Sequence, residues 1–332
     1  MRKIKIAQIG TSRYSHGNFI WNSMKKQNDI FEIVGYAMPE NEKEKFPVNL
    51  EAFNGYSEMD VSEILNNPDI EAVVIETEEI YLNKYAALAA ASGKHIHMEK
   101  PGGIELKDFE NIIQTVKENK RIFHTGYMYR YNPYVNKLLR EVKSGELGEI
   151  ICVEAQMNCS HSNETRQWFG TFPGGIMFFL GCHLIDLILQ IQGVPEEIIP
   201  LNRSTGIDGV NTVDFGMAAF KYKNGVSFAK VNAAEHGGFM RRQLVVTGTK
   251  KTVEIKPLEI NETGGIYTRK TEYTSNSWND AGKTERCDTF NRYDDMMRSF
   301  AKMVCGEKEN PWTYDYELKL YKTILKACGA ED

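Results

Sequence analysis

The sequence predicts an α/β fold in two parts, an N-terminal parallel sheet with crossover helices and a C-terminal α+β part with a largely antiparallel open sheet. Three observations predict it. Up to about residue 124, short apolar runs alternate with helical patterns, the signature of βαβ units. Beyond that point strand-like stretches succeed one another, two of them joined by the hairpin signal Lys223-Asn224-Gly225. Finally, 332 residues suit two domains better than one core.

The elements follow in order. Ile4, Ile6, Ala7 and Ile9 form an apolar run ending at Gly10, and a helical segment runs from His16 to Gln27. Phe31–Ala37 is the second strand. Asp60-Val61-Ser62-Glu63 is a capping box that opens a short helix before the strand Glu71–Ile75. Ala86–Ala91 is an alanine-rich helix core, stopped by Gly93. His95–Met98, a helix over Glu105–Asn119 and a strand over Arg121–His124 complete the first part, residues 1–124. In residues 125–332, Asn132-Pro133 starts a helix that runs to Lys143 and is broken by Gly145–Gly148. Strands are expected at 150–157, 213–222, 226–233, 243–246, 252–255 and 267–273. Helices are expected at 176–191, 288–304 and 315–327.

Composition narrows the function. Hydrophobic content of 42% and charged content of 26% are ordinary for a globular chain. The 40 basic and 45 acidic residues are intermixed and sum to a net charge of -5, which argues against a nucleic-acid footprint. No apolar run approaches the ~20 residues of a membrane helix. Met1-Arg2-Lys3 leads straight into a β pattern, so no secretory signal is expected. The six cysteines contain no C-x-x-C pair, which disfavours structural zinc and a disulfide framework. A cytoplasmic location with no metal, membrane or nucleic-acid partner is the expectation.

Three stretches carry chemistry. Gly10-Thr11-Ser12-Arg13 sits where a dinucleotide turn belongs, with Ser12 and Ser15 at the second and third glycine positions of G-x-G-x-x-G. The end of the second strand, Ala37-Met38-Pro39-Glu40, has Met38 where a ribose-binding acid is expected; Glu40 is a possible substitute, and Arg13 a partner for a 2′-phosphate. NAD and NADP both remain open. Lys94 to Gly103 delivers Glu99-Lys100-Pro101 at the end of a strand, where the ligands of open parallel sheets bind. Pro101 and Gly102-Gly103 hold that turn. In the second part His183, Asp186 and Gln190 form a polar stripe on an apolar helix, and a histidine with an acid one turn on is a reasonable acid/base.

Together these motifs resemble the Gfo/Idh/MocA oxidoreductases, named for glucose–fructose oxidoreductase and inositol dehydrogenase. The resemblance runs nearly the whole length. It takes in the first turn, Ala72–Thr77, Gly93-Lys94-His95 leading to Glu99-Lys100-Pro101, Gly126–Pro133, Gly145–Gly148 and Gly181–Asp186. It implies a Rossmann dinucleotide-binding domain, a substrate and oligomerisation domain whose open sheet makes a homodimer or homotetramer, and bound NAD or NADP. The cofactor residues it implies are Gly10, Thr11, Ser12, Arg13, Met38, Thr77, Glu99, Lys100 and Pro101.

The implied activity is oxidation of a secondary hydroxyl on a sugar, polyol or sugar derivative. Lys100, His183 and Asp186 are the implied catalytic residues, with Lys100 as base or polarising group, since enclosure favours the neutral amine. Tyr127, Arg130, Trp168, Phe179 and His183 are the implied substrate residues. Phe179 stands where many members carry an aspartate, which predicts an apolar portion of substrate there, and Leu82 stands at a position the family gives to histidine. Two other readings stay open: a redox-neutral enzyme with tightly bound NAD, and a non-catalytic dinucleotide-binding regulator.

Overall fold

The computed structural model describes residues 2–330; Met1, Glu331 and Asp332 lie outside them. The chain forms two compact units, Met1–Met128 with Tyr293–Tyr321, and Tyr129–Arg292 with Lys322–Asp332. The sequence reading divides the chain once, near residue 124. The structure adds a late segment to the first unit.

In that unit the elements are β1 (Ile4–Ile9), α1 (Gly17–Lys26), β2 (Phe31–Ala37), α2 (Glu42–Lys45), α3 (Val61–Asn66), β3 (Ala72–Ile75), α4 (Leu82–Ala91), β4 (His95–Met98), α5 (Leu106–Glu118) and β5 (Phe123–Thr125). The five strands are all parallel, in the order β2-β1-β3-β4-β5. The sheet is covered on both faces, so β3 and β4 are buried at every position. Each fully buried Val or Ile of β3 contributes about 1.5–3 kcal/mol. Asp60 and Glu63 form the expected capping box on α3. Trp21 of α1 packs on Phe53, with ring centroids 4.8 Å apart. Because the chain leaves β1 for β2 on one side and returns to β3 on the other, the order reverses between β1 and β3. Crevices at such points bind ligands.

The second unit comprises α6 (Pro133–Lys143), β6 (Ile150–Gln156), α7 (Asn163–Trp168), α8 (Cys182–Gln192), β7 (Glu197–Pro200), β8 (Phe215–Tyr222), β9 (Gly225–Asn232), β10 (Gln243–Gly248), β11 (Thr252–Ile255), β12 (Ile260–Glu262), β13 (Gly265–Tyr267), β14 (Arg269–Tyr273) and β15 (Lys283–Arg286). Eight strands make one sheet, β15-β14-β11-β10-β6-β9-β8-β7, antiparallel except for the β6–β9 pair. β12 and β13 form a separate hairpin. Asn132 caps α6, its side chain accepting from the Tyr134 and Val135 N–H groups. α8 packs against α6, β6 and β9.

The remaining helices are α9 (Asp294–Val304) and α10 (Tyr314–Cys328). α9 belongs to the first unit, where Asp294 accepts hydrogen bonds from Ser23 (2.8 Å) and Lys26 (2.6 Å) of α1. The expected helix at 288–304 starts six residues late, and 267–273 divides into two strands.

Candidate functional site

In the first unit the candidate site lies at the carboxyl ends of β1, β3 and β4. Gly10 follows β1 with φ +88°, and a Cβ there would lie 2.4 Å from Thr77 Cγ2. The turn at the switch point therefore requires glycine. Ser12 and Ser15 order the turn: the Ser12 N–H donates to Ser15 Oγ (3.2 Å) and the Ser15 N–H to Ser12 Oγ (2.9 Å). The Thr11 N–H donates to the buried carboxyl of Glu42 (3.1 Å), and the Asn49 amide donates to Thr11 Oγ1 (2.9 Å) and the Ser12 carbonyl (3.0 Å). Burial pushes Glu42 up to about 9, against the opposing pull of the Thr11 N–H. His16, the N-cap of α1, makes no side-chain cap, and no acid stands in that helix's first turn. A glycine turn leading into a helix start, where Ser15 Oγ accepts from the Gly17 N–H (3.3 Å), fits the pyrophosphate of a dinucleotide.

Arg13 is exposed, its guanidinium 5.9 Å from the Tyr14 ring. Met38 is half-buried at the end of β2. Glu40 binds Lys84 (2.5 Å) and the Tyr85 hydroxyl (2.7 Å), and these bonds hold its carboxyl below its ordinary range. Both bonds are made by residues of α4 to the same oxygen, Oε1.

Lys100 lies just past β4, and its Nζ is 3.5 Å from Glu99 Oε1, both side chains almost wholly buried. Pro101 is buried behind it. Tyr127 is 2% exposed, and the preceding Gly126 would place a Cβ 3.2 Å from Glu99 Oε2. Two further buried acids gather here that the sequence reading did not single out, Glu76 and Glu79. Burial pushes Glu79 up to about 7 and raises Glu76 and Glu99 as well. Their only sequence signal is an acid placed directly after the wholly apolar quartet of β3.

The second unit holds the remaining candidates. A single π-helical turn, Met177–Gly181, precedes α8 and delivers His183, which is 1% exposed. The Tyr129 ring meets the His183 ring edge-on, with centroids 5.5 Å apart. The Tyr129 hydroxyl donates to Glu259 (3.2 Å), whose carboxylate also accepts from Arg242 (2.8 Å) and Arg292 (2.7 Å). None of these four residues was anticipated. They are 17 to 163 positions apart in sequence, and only the fold assembles them.

Arg130 and Asp186 pair with each other. Arg130 Nε lies 3.0 Å from Asp186 Oδ2, and Nη2 lies 2.8 Å from Oδ1. Both side chains are at most 1% exposed, and the Gln190 amide donates to Asp186 Oδ2 (2.9 Å). This bidentate pairing holds the residue expected at substrate, Arg130, to the one expected in catalysis, Asp186. Phe179 is 5% exposed, inside a cluster with Trp168 (5.2 Å), Phe169 (5.5 Å) and Phe172 (5.9 Å). Trp168 is half-buried at the edge of that cluster. The Phe179 ring is thus packed among other aromatic rings.

Residues 4–127 match the family described as an oxidoreductase family with an NAD-binding Rossmann fold, and residues 135–254 match the GFO/IDH/MocA C-terminal domain. The chain belongs to the Gfo/Idh/MocA family. Its first unit is accordingly an NAD(P)-binding Rossmann domain. The chain is 34% identical over 134 residues to the NAD(+)-dependent scyllo-inositol 2-dehydrogenase of Bacillus subtilis (strain 168), covering 40% of this chain and 39% of that protein. It is 25% identical over 206 residues to trans-1,2-dihydrobenzene-1,2-diol dehydrogenase of Bos taurus, covering 58% and 57%. The matched stretches thus span about half the length of these curated relatives. Among solved structures, levoglucosan dehydrogenase in complex with NADH and levoglucosan superposes with a TM-score of 0.79 at 15% identity, covering 99% of this chain and 98% of that one. That likeness shows the fold. Among the described residues no helix is long and apolar enough to cross a membrane, and no cluster of His, Cys, Asp or Glu could hold a metal ion.

Proposed function

We propose that this Gfo/Idh/MocA protein is an NAD(P)-dependent oxidoreductase acting on a secondary hydroxyl of a sugar, polyol or sugar derivative. The observation that carries the proposal is Lys100, enclosed at the end of β4 in the NAD(P)-binding unit with its Nζ 3.5 Å from Glu99. Relatives named for scyllo-inositol and dihydrodiol oxidation support the substrate class. Gly10, Thr11, Ser12 and Arg13 would hold the pyrophosphate, and Thr77, Glu99 and Pro101 would line the remainder of the cofactor crevice. The dinucleotide supplies the hydride acceptor when bound. Lys100 Nζ accepts the hydroxyl proton, and Glu99 beside it stabilises the ammonium that results. His183 is the second catalytic group, fixed in orientation by the Tyr129 ring. Asp186 and Arg130 act as positioning residues that fix α8, and hence His183.

The second unit is the substrate and oligomerisation domain in this reading. Its eight-stranded sheet keeps Phe215, Met217, Phe228 and Val245 half-exposed at alternating positions, which supports association of copies through that face. A cytoplasmic setting is supported by six cysteines, none of which forms a disulfide. A panel of inositols, hexoses and anhydrosugars, followed at 340 nm with NAD+ and NADP+, tests the activity. Turnover of at least one polyhydroxylated substrate is expected, and no turnover of any would refute it.

A further inference from the structure

We propose that Glu76 and Glu79 make the Rossmann unit distinguish the oxidised from the reduced dinucleotide by exchanging protons with solvent as the oxidised form binds. The proposal rests on the cofactor reading above and extends it to the charge of the nicotinamide ring.

Glu76 follows β3 directly, at the switch point between β1 and β3, and Glu79 lies one turn further on. Their relative exposures are 0% and 1%. Glu76 packs against the start of α1, where a Cβ on Gly17 would lie 3.0 Å from Glu76 Cβ. Neither oxygen of Glu79 has a hydrogen-bond partner in another residue. An ionised carboxylate in such surroundings is costly, so burial raises both acids, Glu79 to about 7, against the opposing pull of Lys100.

The charged and titratable groups facing this pair come from every adjoining element. Glu99 and Lys100 follow β4 and form an ion pair of their own, and His16 at the start of α1 reaches Glu99 Oε2 at 3.8 Å. His97 of β4 has its Nε2 4.0 Å from Glu76 Oε1, and burial pushes it down to about 3, so it stays neutral. His97 in turn contacts His124 of β5 through their Nδ1 atoms (2.7 Å). Glu78 is paired with Lys45 (3.0 Å). When charged, Lys100 draws Glu76 and Glu79 toward the ionised form as well, but burial is the larger influence on both, so their charge can still respond to a ligand.

The oxidised nicotinamide ring carries one positive charge and the reduced ring none, while the phosphates are the same. A cation arriving at the carboxyl ends of β3 and β4 lowers the proton affinity of Glu76 and Glu79. A proton then leaves a carboxyl for solvent, and the carboxylate remains opposite the ring. The sign follows: a ligand that lowers a pKa binds the deprotonated form more tightly, so affinity for NAD+ rises with pH. Affinity for NADH does not. Charges common to both forms cancel in the ratio of dissociation constants.

Calorimetric titration of the whole protein with NAD+ and NADH (or NADP+ and NADPH if those bind more tightly) tests this from pH 6 to pH 8, in buffers of different ionisation enthalpy. The expected ratio Kd(NADH)/Kd(NAD+) rises roughly tenfold over that range, with about half a proton released on binding NAD+ at pH 7 and none on binding NADH. Glu79→Gln and Glu76→Gln, each isosteric with the protonated acid, should reduce the slope, and the double variant should abolish it. A ratio independent of pH in the wild-type protein, equal proton release for both forms, or an unchanged slope in the double variant overturns the proposal while leaving the cofactor reading intact. Binding of neither form would overturn both.

Discussion

Arg130→Met should destabilise the second unit by about 3–5 kcal/mol, because it leaves the Asp186 carboxylate buried without its bidentate partner. The magnitude follows from the geometry. Arg130 makes two short contacts to Asp186 at 2.8 and 3.0 Å, both side chains are at most 1% exposed, and the neutral Gln190 amide does not replace the charge of a guanidinium. For a unit of this size the loss corresponds to a fall in melting temperature on the order of 10 °C. Scanning calorimetry at pH 7 measures it, and urea titration followed by tryptophan fluorescence gives an independent midpoint. Replacing both partners, Arg130→Met with Asp186→Leu, removes the stranded charge and should recover most of the loss, since well-packed apolar groups often replace a buried ion pair at little cost. If Arg130→Met melts within 2 °C of wild type, or the double variant is no better than the single, the pair does not fix α8. The positioning role assigned to it would then be wrong.

Two other outcomes test the remaining geometry. Phe179→Asp inserts a charge among Trp168, Phe169 and Phe172, and should cost about 3 kcal/mol or more in stability rather than simply redirect specificity; calorimetry of a folded variant at wild-type stability would refute the packing argument. Glu42, raised by burial from 4.5 to about 9, binds its proton more tightly folded than unfolded, so it stabilises the first unit fully below pH 4.5 and the contribution is lost as pH rises towards 9. Melting temperature should therefore fall over that window, and Glu42→Gln should flatten part of the fall; an identical pH profile in the variant would contradict it.

Much of the architecture was legible because local and global signals agree. β2 and β4 run over the residues that the apolar pattern marks, and the caps at Asp60 and Asn132 start the helices they announce. The return of 293–321 to the first unit was not legible, because helical periodicity identifies an apolar face without naming the sheet it covers. The same limit hid the site's charges. Glu76 and Glu79 read as ordinary acids in a loop, and only the close approach of Gly10 to Thr77 shows that this loop closes the switch point. Asp186 lies on the polar stripe of α8 that periodicity marks, but its partner Arg130 is 56 residues away and only the fold supplies it.

The most direct test of the central claim is a comparison of Lys100→Met with wild type on whichever hydroxyl substrate the panel yields, measuring kcat and the cofactor Kd together. A group that accepts the hydroxyl proton contributes roughly 10²–10⁴ in rate, while as one of many neighbours of the dinucleotide it contributes little to binding. The account predicts that kcat falls by that factor with the cofactor Kd changed no more than a few-fold. A variant that retains near wild-type kcat would show that Lys100 is a structural lysine and that the proposed chemistry is misplaced.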